Sequence, residues 1–111
     1  MEIYHYEQVE AFQKSPGVMQ RTVIGPDQGA PNFVMRIFEL APGTSPRYHS
    51  HSWEHEVFVL SGRGIIRSES GDREISEGSV AYIKPNEPHG LANNSDKPLR
   101  FICLIPLVDE A

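Results

Sequence analysis

The sequence predicts an all-β fold, closed as a barrel or a double-sheet jelly roll. Three observations carry this. Nine glycines and nine prolines punctuate the 111 residues at short intervals. Between them lie short apolar runs rich in Val, Ile and Phe, the pattern of strands in a sandwich or barrel. No long segment keeps a helical period, and a set of short antiparallel strands hides its edges by closing on itself.

The elements follow in chain order. "YEQVEAFQKS" places Val9 and Phe12 three apart and stops at Pro16-Gly17, which predicts a helix of one or two turns. Strands are expected at Val18–Ile24 before Gly25-Pro26, at Asn32–Leu40 before Pro42-Gly43, at Arg47–His51, and at His55–Ser61 before Gly62. "GIIRSE" and "REISE" flank Ser70-Gly71-Asp72, a turn in which glycine makes a positive φ cheap. "SVAYIK" ends at Pro85, and "LRFICLI" ends at Pro106. No repeat, linker or low-complexity tract interrupts this order, so one domain is expected over 1–111.

Composition narrows the partners. The net charge is −5, and the lysines and arginines are scattered singly, which argues against nucleic acid and against an anionic membrane surface. The single cysteine, Cys103, cannot close an intrachain disulfide, and this suits a reducing compartment. The opening "MEIYHYEQVEAF" is acidic and mixed, unlike a secretory leader. The longest apolar run, Phe101–Val108, contains a proline and is too short to span a bilayer. A cytoplasmic protein with no membrane contact is expected.

The chemistry concentrates in "HSHSWEH", residues 49 to 55, which holds three of the five histidines. Strand side chains alternate between faces, so His49 and His51 share one face. Ser52-Trp53-Glu54 is short enough for a tight turn, after which His55 opens a strand in phase with Val57 and Val59. Two neighbouring strands then aim three imidazoles into one space, while Glu56 points away. A fourth, His89, sits in "KPNEPHG", where Pro85 and Pro88 stiffen the chain. The fifth, His5, is incidental to this group.

These segments resemble the cupin family. Its first motif runs roughly G-x5-H-x-H-x3-E-x6-G; here Gly43, His49, His51 and Gly62 fit, and His55 stands at the glutamate position. Its second runs roughly G-x5-P-x-G-x2-H-x3-N; Gly78, His89 and Asn93 fit, with Lys84 at the proline and Asn86 at the second glycine. Asparagine tolerates a left-handed backbone better than other non-glycine residues, so the second change is mild. The motifs cover residues 43–62 and 78–93. "APNFVMRIFEL", "HSHSWEHEVFVLSG", "PNEPHG" and "FICLIP" are similar to the small four-histidine monocupins, in which manganese is a known occupant.

The resemblance implies a double-stranded β-helix, or jelly-roll barrel. It implies one divalent metal per chain on His49, His51, His55 and His89: manganese first, with iron, nickel, copper or zinc as alternatives. It also implies a homodimer, commonly built through N-terminal strands that pair with a partner's sheet. Four neutral imidazoles leave the full charge on the ion, making a stronger Lewis acid than a site with one carboxylate. Octahedral geometry leaves two positions for substrate, whereas tetrahedral zinc with four ligands is closed.

Phe101, Cys103 and Ile105 share one strand face, which is either a pocket wall beside the metal or plain core. Arg36 lies inside an apolar strand, either orienting an anionic substrate or snorkelling outward to a carboxylate. Trp53 and Glu54 are expected to shape the hairpin, with Glu54 a candidate partner for a ligand imidazole. Tyr82 is a candidate acid or a packed strand residue. The leading functional expectation is a metal-dependent oxidoreductase, dioxygenase-like or peroxide-using, acting on a small organic molecule. The alternatives are a non-redox isomerase or lyase, for which the sequence offers no convincing base, and a ligand-binding cupin without turnover.

Overall fold

Alternation of apolar and polar residues becomes two antiparallel sheets in the computed structural model, which describes residues 1–108. The strands are β1 (Phe12–Ser15), β2 (Val18–Ile24), β3 (Phe33–Leu40), β4 (His55–Ser61), β5 (Arg63–Ser68), β6 (Arg73–Ser76), β7 (Val80–Ile83), β8 (His89–Ala92) and β9 (Leu99–Pro106). One sheet runs β1-β2-β3-β9-β4-β7 and the other β6-β5-β8. This is a jelly-roll barrel, as the turn spacing predicted.

The inner face is read off directly from parity. Val34, Phe38 and Leu40 of β3, Val57 and Val59 of β4, and Leu99, Phe101, Cys103 and Ile105 of β9 form one buried cluster. Phe38 and Phe101 stack with centroids 5.4 Å apart, a pairing that adds to the area they bury.

Three expectations about elements are corrected. The helix over "YEQVEAFQKS" is only a 3-10 turn, Tyr6–Gln8, and the second half of the segment is β1. One apolar pair three apart does not offset the cost of helix nucleation, whereas the Pro16-Gly17 turn gives β1 a ladder with β2. Arg47–His51 forms no ladder and makes a single bridge, His49 to His89. His89, which the proline-stiffened "KPNEPHG" segment placed in a turn, opens β8 instead.

That bridge positions the site. His49 N–H donates to the His89 carbonyl at 3.0 Å and His89 N–H donates to the His49 carbonyl at 2.8 Å. Asn86 N–H reaches the His51 carbonyl at 2.7 Å, and Asn86 is the non-glycine residue with positive φ, 65°. Asn93, 1% exposed, ties the far end: its Nδ2 donates to the carbonyls of Leu40 (2.9 Å) and Lys97 (2.7 Å). The two histidine-bearing segments are therefore stitched together by backbone hydrogen bonds, and the buried Asn93 amide anchors the far end to β3.

Candidate metal centre

His49, His51 and His89 bring one ligand nitrogen each to within 4.8 Å of one another. The fourth imidazole adjoins them: His55 Nε2 lies 2.7 Å from His51 Nε2, and its ring centroid is 5.0 Å from that of His89. The three histidines that spacing brought together and His89, which the resemblance added, thus lie side by side. His55 is in phase with Val57 and Val59 and is buried with them, while Glu56 faces out.

The second nitrogen of each ring fixes its orientation. His49 Nδ1 is 2.8 Å from the Arg47 carbonyl, His51 Nδ1 is 2.8 Å from the Trp53 carbonyl, and His89 Nδ1 is 2.7 Å from the Glu87 carbonyl. A carbonyl only accepts, so each Nδ1 carries the proton and each Nε2 offers a lone pair. Three imidazoles anchored by carbonyls, with free Nε2 atoms converging, fit a divalent transition metal. Trp53 adds a stacking face to His51, at 4.2 Å between centroids. Glu54 does not serve a ligand; it faces the Tyr82 hydroxyl, at 3.5 Å on the outer surface. Tyr82 points away from the site, because Ile83 takes the inward position on β7.

His55 is held differently. Its Nδ1 faces Cys103 Sγ at 2.9 Å and Arg36 Nη2 at 3.4 Å. With His51 Nε2 an acceptor, the 2.7 Å contact between the two Nε2 atoms is a hydrogen bond donated by His55 in the metal-free protein. Coordination by His55 Nε2 requires the proton on Nδ1, where Cys103 Sγ is the available acceptor. Burial, and then the Arg36 guanidinium, push His55 down to about 3. Burial also lowers His51 and His89. All three are neutral near pH 7, the form a metal requires. Burial raises the Cys103 thiol, against the pull of Arg36.

The centre opens into a cavity of about 180 Å³. Val18, Phe38, Leu40, Leu91 and Phe101 give it apolar walls, and Lys14, Arg36 and Arg47 give it cationic groups. Phe101 lines the cavity, one of the two placements its strand face allowed. Cys103 lies behind His55, and Ile105 is buried core away from the lining. Of the two placements open to Arg36, the structure has the inward one. It is 5% exposed and shares the inner face with Val34, Phe38 and Leu40. Lys14 went unnoticed in the sequence because it lies in the segment read as helix. Burial and nearby Arg36 hold its amine below the usual lysine range.

A jelly-roll barrel with histidines gathered at one cavity defines a small β-barrel class with a candidate metal centre. The chain belongs to the cupin domain family (Cupin_2), which matches residues 36–105. It is similar to the polyketide cyclase RemF of Streptomyces resistomycificus, at 31% identity and a TM-score of 0.88, covering 96% of this chain and 79% of that one. It is 31% identical over 71 residues to an oxalate-binding protein of Thermotoga maritima, covering 63% of this chain and 59% of the relative. It is 30% identical over 111 residues to a glucose-6-phosphate isomerase of Thermococcus litoralis, covering 95% of this chain. The chain spans about half of that isomerase's length, 53%. No helix of the described residues is long and apolar enough to cross a membrane.

Proposed function

We propose that this cupin is a metal-dependent enzyme of the non-redox type, acting on a small carbonyl-rich molecule, with His49, His51, His55 and His89 as ligands. The observation that carries the reading is the cavity itself: Lys14 stands on its rim and the imidazoles share its lining. When bound, a divalent ion on four neutral nitrogens supplies Lewis acidity toward a carbonyl oxygen. Lys14 supplies what the sequence alone did not offer, a group that takes a proton from carbon and returns it. A lysine lowered by burial and by a neighbouring cation is suited to that exchange. Phe38, Leu40 and Phe101 keep water from the reacting face. One relative is named a polyketide cyclase and another a glucose-6-phosphate isomerase, and neither name denotes a redox reaction.

The test uses a 1,3-dicarbonyl probe, ethyl acetoacetate, in deuterated buffer. Exchange at the central carbon is expected above the buffer rate with zinc or manganese alike, and to fall at least about tenfold in Lys14→Met. Oxygen uptake that requires manganese or iron supports the oxidoreductase instead, since it keeps the same ligands and changes only the chemistry. Stabilisation by ligand with no exchange and no oxygen uptake marks a binding protein. We further infer a homodimer joined through the outer face of the six-stranded sheet, and a cytoplasmic setting for the one unpaired thiol, Cys103.

A further inference from the structure

We propose that the cavity contains an anion subsite centred on Arg36, so that its ligand is a small organic anion setting a carboxylate or enolate oxygen pair against the guanidinium. This deepens the functional reading above and rests on it for the ligand's other end, which faces the histidines.

The cavity lining carries three cations, Lys14, Arg36 and Arg47, and no aspartate or glutamate. That is the reverse of the chain as a whole, with its 15 acidic and 10 basic side chains. Arg47 is exposed at the mouth and attracts an anion from solvent. Arg36 is the unusual member, because it is buried. Its Nη2 meets Cys103 Sγ at 3.2 Å and His55 Nδ1 at 3.4 Å, and its Nε has no partner. Among the described residues the ion pairs are His5–Glu7 and Arg100–Glu39, and neither involves Arg36.

An arginine on the surface needs no counter-charge, since water supplies the solvation. A buried one is costly until a negative group meets it. Phe38 supports one face of the guanidinium, with its ring centroid 4.9 Å from the central carbon. This leaves the part of the guanidinium not engaged by Cys103 and His55 for an anion in the cavity that Arg36 lines, and a guanidinium matches two coplanar oxygens better than one. The arrangement selects a carboxylate or a 1,3-dicarbonyl anion over a neutral molecule of equal shape.

The test is made on metal-free, chelator-treated protein by calorimetric titration with malonate and with malonamide, its neutral isostere. Malonate is expected to bind one per chain, at least about tenfold tighter than malonamide, and Arg36→Gln to weaken malonate by a similar factor. Arg36→Lys, which keeps the charge and loses the fork, is expected to fall between. Equal binding of malonate and malonamide by the wild type overturns the subsite and needs no variant to fold. Unchanged malonate affinity in a folded Arg36→Gln overturns it as well. Metal titration of the same wild-type sample separates the two claims. Failure to load metal removes the catalytic reading and leaves the subsite, while loss of malonate discrimination does the opposite.

Discussion

Three of the clustered histidines lean on backbone carbonyls, but His55 leans on a side chain, and that asymmetry has consequences. Removing Cys103 Sγ leaves the His55 Nδ1–H of the metal-bound form facing only Arg36, which is itself a donor. Cys103→Ala is therefore expected to weaken zinc or manganese affinity about tenfold or more, while Cys103→Ser, which keeps an acceptor, recovers much of it. Calorimetric metal titration reads this, and equal affinities in wild type and Cys103→Ala would sink the role. Acid sensitivity of the metal-free protein follows from the same burial. His55 titrates at about 3 in the fold and at 6.5 when unfolded, with His51 and His89 shifted the same way. Between these limits the unfolded chain holds more protons, so stability is full above pH 6.5 and falls as pH drops toward 3. The slope is at most about 1.4 kcal/mol per pH unit from His55 alone. Urea midpoints measured from pH 8 to 4 test this; a midpoint that stays flat below pH 6 contradicts it. The cluster of His49, His51 and His55 was legible because spacing and parity act locally, whereas His89 came only with the family resemblance. Arg36 was not, because β3 is apolar on both faces: Val34, Phe38 and Leu40 lie on one side and Phe33, Met35 and Ile37 on the other. Parity ties Arg36 to Val34 and Phe38, but with both sides apolar it does not say which one looks inward.

At the level of elements, glycines and prolines located most strand ends, since a chain that must reverse needs those residues wherever a ladder stops. β2, β3, β4 and β9 all end at or within a residue or two of such a breaker. The reading failed where local pattern is weak. β1 has four residues with a largely exposed burial pattern, so hydrophobic alternation left no trace of it. Its existence depends on the ladder to β2. β8 likewise depends on pairing with β5, from Ile65–Ala92 to Ser68–His89. Gly62 shows how a turn residue fixes this architecture. It has φ 84° between β4 and β5, and a Cβ there would collide with the carbonyl oxygen of Pro98. Gly62→Ala faces both a left-handed backbone and a backbone clash, and the expected loss is about 2–4 kcal/mol. Urea denaturation measures it. A loss under half a kcal/mol would mean that the β4–β5 turn and the segment entering β9 can move apart without cost.

Over the whole molecule, the two faces of the six-stranded sheet carry different burdens. The inner face is filled by the core and the histidines. The outer face is also apolar: Met35 stands beside Leu104, and Phe58 stands between Ile102 and Val80. Val80 is 75% exposed and Tyr82 55%. Glu56 is the one acidic residue among those lining this shallow groove. A contiguous apolar face on a small protein marks an interaction surface, and a twofold arrangement sets such a face against its own copy. Self-repulsion is small at this groove because its lining holds a single carboxylate, whereas a chain of net charge −5 repels its copy across most other surfaces. β1 pairs with β2 of its own chain, so the sheet face, not an exchanged N-terminal strand, is the expected contact. Light scattering is expected to give twice the chain mass of 12.5 kDa. Phe58→Glu is expected to return the chain to its single mass with the β-sheet circular dichroism intact, because the side chain is already 44% exposed and leaves the core untouched. Metal affinity should be unchanged in that monomer, since every imidazole and every anchoring carbonyl belongs to one chain. A wild type that scatters as a monomer at micromolar concentration removes the interface, and a Phe58→Glu dimer relocates it to another face.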